Sequence, residues 1–290
     1  MDGAANTPAN TPANTLPDAR ILAEAWEDPL VVDARANLDA ALPSLRFHEG
    51  LRRRWREARA ETAVREAWAL AHSEGVRIGR EELRSLTAPD AEPSGLPAGR
   101  ALALGIWRAQ WDVTTRMPDL NLSGHAPSAT RSTAPAFAAA LHRDVCSALV
   151  AAGHLGSSGV GMPASEAPSS MNVIGLADNA TLPALLCAAV IEAEFATRDI
   201  FTPGSAPVGA ALARYVLVRR GFEPTGVAMT AAGIRADEAA YRLALARYSR
   251  GDVGGVADWF AHVASGILRG VVLGRDVALE IQAARLAGGL

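Results

Sequence analysis

The chain has 290 residues and a formal net charge of -3; about half of it (49%) is apolar, yet only 5% is aromatic. All 28 basic residues are arginines, and the slight acidity argues against generic nucleic-acid binding. A chain this long, rich in alanine, leucine and arginine, favours helices over sheets and can bury a core without staples.

Cys146 and Cys187 show neither zinc spacing nor a disulfide framework. The N-terminus carries no basic-then-apolar leader, and no uninterrupted apolar run of about 18 residues occurs. The expected setting is soluble and cytoplasmic, without membrane or nucleic-acid contact.

Residues 1–17 repeat Asn-Thr-Pro-Ala and offer nothing apolar to bury, so they read as a disordered tail. Short helical patterns follow at Asp18–Ala25 and Leu30–Leu42, with Pro43 expected to stop the second. A long helix is expected over Ser44–His72, with Leu45, Trp55, Ala58, Thr62 and Ala69 near one face. Arg52, Arg53, Arg54, Arg56 and Arg59 interleave with Glu49, Glu57, Glu61 and Glu66, which predicts a solvated, ion-paired face. Gly75 reads as the glycine just past that helix.

Arg80–Leu86 is a possible extra turn, Thr87–Pro97 a linker, and Gly99–Met117 a helix with Trp107 and Trp111 in the core. Pro118–Pro135 reads as a loop. Pro135–Ala152 is an amphipathic helix holding His142, read as a structural histidine. Gly153–Ser170 contains four glycines that superficially suggest a dinucleotide loop, but no apolar strand precedes them, which argues against it. Leu182–Arg198 has an almost wholly apolar middle and reads as a buried central helix. Further helices are expected at Pro207–Arg220, Ala236–Tyr248 and Gly254–Ala287. About ten helices without a convincing strand pair give an all-α fold.

The organising stretch is Ile191–Pro207, a buried helix running into a Pro/Gly/Ser loop from which the next helix opens, a common way to build an anion site. With Leu141-His142, Ala152-Gly153-His154-Leu155, Ala184–Phe195, Ala211–Pro224 and Tyr241 in this order, residues 135–260 resemble the Fic (Fido) domain, the mostly helical fold of protein AMPylators. The likeness is to a degenerate member of an actinobacterial type. It implies an N-terminal helical region over 18–120, a core over 135–260 and a C-terminal helix over 261–290. Ser73-Glu74-Gly75 resembles the glutamate-glycine of the family's inhibitory helix, which makes Glu74 the inhibitory candidate.

In that family the loop reads His, any, Phe, any, Asp or Glu, Gly, Asn, Gly, Arg. The histidine is a general base, the acid holds magnesium, backbone amides face the phosphates and the arginine grips them. Here Asp199 stands at the histidine position, Phe201 at the phenylalanine, Pro203 at the acid, Gly204 at the glycine, Ser205 at the asparagine, Ala206 at the second glycine and Pro207 at the arginine. The second arginine, three residues later, falls on Ala210. An unperturbed Asp is about 2.5 pK units less basic than His. Asp199 is therefore the catalytic candidate, and Phe201, Gly204, Ser205 and Arg214 the nucleotide-binding ones, with no protein metal ligand. Ser205 is expected to cap the following helix, and Arg214, seven residues past Pro207, to replace some lost charge.

By resemblance, ATP and Mg²⁺ are the implied cofactors and a protein the implied partner. Three readings stay open: an impaired Fic-like nucleotidyltransferase acting through a partner or nucleotide; an active but altered nucleotidyl or phosphoryl transferase; and an unrelated helical regulator.

Overall fold

The computed structural model describes residues 16–88, 90–120, 132–164 and 167–287. The tail at residues 1–15 lies outside them, whereas Leu16 packs half-buried against the core. Among the described residues every regular element is helical. In chain order these are α1 (Ala19–Trp26), α2 (Pro29–Arg46), α3 (Leu51–Ser73), α4 (Arg80–Leu86), α5 (Ala98–Arg116) and α6 (Ala134–Ala151). They continue with α7 (Ala167–Gly175), α8 (Ala184–Thr197), α9 (Ser205–Arg219), α10 (Thr230–Ile234), α11 (Glu238–Tyr248) and α12 (Val253–Ala287).

One buried cluster runs from Ala25 on α1 to Ala278 on α12, so the N-terminal helices share their core with the rest. At its centre α8 is buried from Leu185 to Phe195 and lies along α9. Gly209 makes that pairing close, since a Cβ there would stand 2.3 Å from the Phe195 Cβ. Helix α12 packs against α2, α10 and α11. Helix α12 is long and apolar enough over Val253–Ala284 to cross a membrane, by length and composition only. Yet 61% of its most apolar window is buried inside the fold, as in a core helix of a globular protein.

Pro43 does not stop α2, which continues to Arg46. Val31, Leu38 and Leu45 fall at spacings of seven and are all buried, and Leu45 anchors the turn beyond the exposed proline. The long helix consequently begins at Leu51, not Ser44. Two elements fall outside the helices expected from the sequence. Helix α7 falls in the Ser- and Pro-rich stretch, and α10 is a five-residue helix sustained by a side chain from elsewhere. Trp111 is 40% exposed, stacked on Trp107 at 5.9 Å between centroids, rather than in the core.

The charged face of α3 is only partly solvated. Arg52 pairs with Glu49 and Arg54 with Glu57, as the spacing predicts. Arg59 and Glu66 instead point inward, 1% and 0% exposed. Arg59 donates to the carbonyls of Thr225 (2.6 Å), Pro118 (2.9 Å) and Pro224 (3.2 Å), and burial lowers its pKa to about 10. Glu66 accepts from the Ala231 N–H (3.0 Å), the Ala232 N–H (2.8 Å) and the Thr230 hydroxyl (3.2 Å), closing the N-terminus of α10.

Glu223 is buried next to this region and accepts from the amides of Thr225 (3.1 Å) and Gly226 (2.9 Å). Burial raises its pKa from 4.5 to about 7, against the pull of Thr225 and Arg214. The folded chain therefore binds this proton more tightly than the unfolded one. Its contribution to stability is fully present below pH 4.5 and is lost as pH rises through about 7. Urea midpoints measured across that window should fall less steeply with pH in Glu223→Gln than in the parent, whatever the variant's absolute stability.

Candidate functional site

The loop from Arg198 to Gly204 joins the buried α8 to α9. Each turn of its path is fixed by a residue from the surrounding body. Phe201 is 1% exposed, with its ring 4.7 Å from His142 and 6.1 Å from Phe195. His142 Nδ1 accepts the Gly161 N–H at 2.9 Å, so the proton of the neutral ring is on Nε2, which donates to the Pro203 carbonyl at 3.1 Å. Burial lowers the His142 pKa, in keeping with the neutral form. The Cys146 sulfur lies 3.2 Å from Nε2, and both cysteines are free and buried. His142 is thus a strut between the glycine-rich segment and the loop, and the Ala164 N–H ties the two again by donating to the Ile200 carbonyl at 2.9 Å.

Gly204 takes φ +88°, the left-handed region, and immediately precedes α9. A Cβ there would come within 2.6 Å of a Val145 methyl, so α6 also presses on the loop. Ser205 does not cap α9 as expected. Its hydroxyl turns back and shares its one proton between the carbonyls of Phe195 (2.8 Å) and Arg198 (2.9 Å), closing the end of α8 instead.

Arg214 also departs from its expected role. It is 1% exposed and bonds to the Gln110 side-chain oxygen (3.0 Å), the Thr114 hydroxyl (3.3 Å) and the Gly226 carbonyl (2.8 Å). That guanidinium holds α9 to α5 inside the core, because three acceptors converge where the helices cross, and it presents nothing at the loop. Pro203 and Pro207 contribute no side-chain donor, and Pro207 has no N–H.

Asp199 is exposed at the start of the loop. Its charge acts on Glu74, the residue that caps α3 just before Gly75 at φ +79°. Glu74 is exposed as a residue, yet partial desolvation of its carboxyl holds it above its usual range; Arg235 opposes this and the like charge of Asp199 adds to it. The arginine Glu74 would pair with by resemblance is absent at Ala210, and the cation nearby is already committed. Arg235 binds Glu192 of α8 through two bonds of 3.2 and 3.0 Å and lies 4.9 Å over the Tyr241 ring. Two turns of polar groups run along α8, since Glu194 binds Arg198 at 2.7 Å and accepts from the Tyr248 hydroxyl at 2.8 Å. These partners were not found by reading the loop. The available signal was two glutamates inside an otherwise apolar helix, which must find cations or hydroxyls when buried.

No protein-family model matches the sequence, and no curated protein matches it. Among solved structures, a Fic family protein from Desulfovibrio desulfuricans G20 superposes with a TM-score of 0.59, covering 84% of this chain and 74% of that one at 14% identity. The fold is Fic-like. At that identity the likeness concerns architecture and not chemistry. The loop between α8 and α9 is itself a packed joint: one aromatic, one histidine, one hydroxyl and one left-handed glycine, each engaged within the protein.

Proposed function

We propose that this Fic-like protein is an impaired nucleotidyltransferase that acts by binding a protein partner. One observation carries the reading: apart from the exposed Asp199 and Thr202, the polar side chains of the loop and the arginine behind it are engaged inside the protein. Ser205 is bound to two carbonyls, the Pro203 carbonyl is bound by His142, Phe201 is buried beneath that histidine, and Arg214 faces α5. Transferase chemistry needs preorganised cations and donors aimed at the phosphates as charge develops.

ATP and Mg²⁺, which the family implies, do not suit this donor set. A proline replaces the metal carboxylate, a second proline replaces the phosphate arginine, and the first turn of α9 lacks one N–H. The alternative of an altered transferase rests on Asp199, which is exposed and whose charge acts on Glu74. It would need a phosphate-binding cation that Arg214, in its buried position, does not supply.

Incubation with Mg²⁺ and ATP labelled on the α-phosphate, alongside an Asp199→Ala variant, tests the proposal. No label should reach this protein or added proteins, and ATP should not raise the melting temperature. Label transfer that disappears in Asp199→Ala would establish the altered transferase instead.

A further inference from the structure

Away from the loop, a cavity of about 270 Å³ opens where the N-terminal helices meet the start of α8. Its walls are mostly apolar and include Trp26, Pro183, Leu185 and Phe222, with Arg35 and Asp39 from α2. Trp26 is fixed edge-on against Phe260, with ring centroids 5.8 Å apart. The Arg35 guanidinium lies 4.1 Å over the Trp26 ring.

Arg35 makes no hydrogen bond or ion pair among the described residues, and its Nε is buried without a partner. Most other arginines lining the helix packing are paired, as Arg59, Arg214 and Arg235 illustrate. A guanidinium is a planar fork of five donors suited to carboxylate. Held against an aromatic face in a recess, it retains its attraction for an anion better than it would in open water. Asp39 lies one helical turn away, lines the same cavity and does not pair with Arg35. Its charge disfavours a dianion such as phosphate relative to a monoanion.

We propose that this cavity binds a small apolar monocarboxylate, with an aryl or branched alkyl group between Trp26, Leu185 and Phe222 and its carboxylate on Arg35. The volume lies just below the usual range for drug-sized ligands, which fits a single-ring acid. Arg35 selects the charge and the apolar walls select the body. The proposal is independent of whether the loop transfers nucleotide.

The probe is 3-phenylpropionate, titrated by calorimetry and by ligand-observed NMR, with 3-phenylpropanamide and inorganic phosphate as comparisons. The acid should bind saturably and at least about tenfold more tightly than the amide, the difference expected for one charge-assisted contact, and phosphate should not bind. Arg35→Gln, on a half-buried surface position, should remove the preference for acid over amide. Ala36→Phe fills the cavity from its exposed rim and should abolish binding of both, with helical circular dichroism unchanged in either variant. Equal affinity for acid and amide, failure of the acid to bind, tighter binding of phosphate, or a preference that survives in Arg35→Gln would each overturn the proposal.

Discussion

Arg235→Ala is expected to lower the unfolding free energy by about 3–5 kcal/mol, because it strands a buried carboxylate. Glu192 sits midway along the central helix, and the pair's side chains are 3% and 5% exposed. The guanidinium engages both carboxylate oxygens, at 3.2 and 3.0 Å. Truncation would leave Glu192 among apolar neighbours with its desolvation uncompensated. Replacing both partners, Glu192→Met with Arg235→Met, should recover most of the loss, since two apolar chains of similar length fill the space. Recovery is favoured further because the Arg235 Nε is already buried without a partner. Urea midpoints of the single and double variants decide the matter. If Arg235→Ala melts with the parent, the pair contributes nothing and the account of α8 fails.

Glu66→Ala should have a comparable effect, about 3–5 kcal/mol, for a different reason. Its carboxylate satisfies the Ala231 and Ala232 amides and the Thr230 hydroxyl, and its charge, more than that of Glu223, offsets the burial of Arg214. Each buried donor left unmade costs about 1–3 kcal/mol, and the loss of a counter-charge adds to that. Helix α10, only five residues long, cannot hold itself and should fray first. Hydrogen exchange at Ala231 and Ala232 would therefore quicken more than exchange along α8. Uniform quickening would show instead that Glu66 acts on the whole fold rather than through α10. Glu66→Gln keeps one acceptor and should lose less than Glu66→Ala.

Much of the architecture is legible in the sequence, for reasons that can be assigned residue by residue. The apolar run before Glu192, the punctuation at Pro203-Gly204 and the glycines after α3 and α9 are local signals, and Gly75, Gly204 and Gly221 all take positive φ. The missed helices lacked such signals. Helix α7 follows a stretch of Gly, Ser and Pro, and α10 exists because Glu66 reaches it from α3. Arg59 and Glu66 were expected on a solvated face, because alternating charges look the same whether each meets water or a carbonyl. The candidate site was legible as a place and not as an arrangement. Glu74 and Asp199 share only an electrostatic influence, Ser205 and Arg214 turn away from the loop, and the strut His142 and the ion pair of Arg235 with Glu192 became visible only in three dimensions.

The sequence by itself determined that the chain is helical, in what order its main helices run, and that Asp199 to Pro207 lacks the acid, histidine and arginine of the family it resembles. Only the tertiary structure decided where the remaining polar groups point. The reason lies in reach. Helical periodicity and end signals act over three or four residues, whereas a buried charge takes whatever acceptor the fold brings to it. Arg235 finds Glu192 across 43 residues, Arg214 finds Gln110 across 104, and Glu66 finds the Ala232 amide across 166. Those distant pairings turned a loop that reads as an anion site into a joint between two core helices.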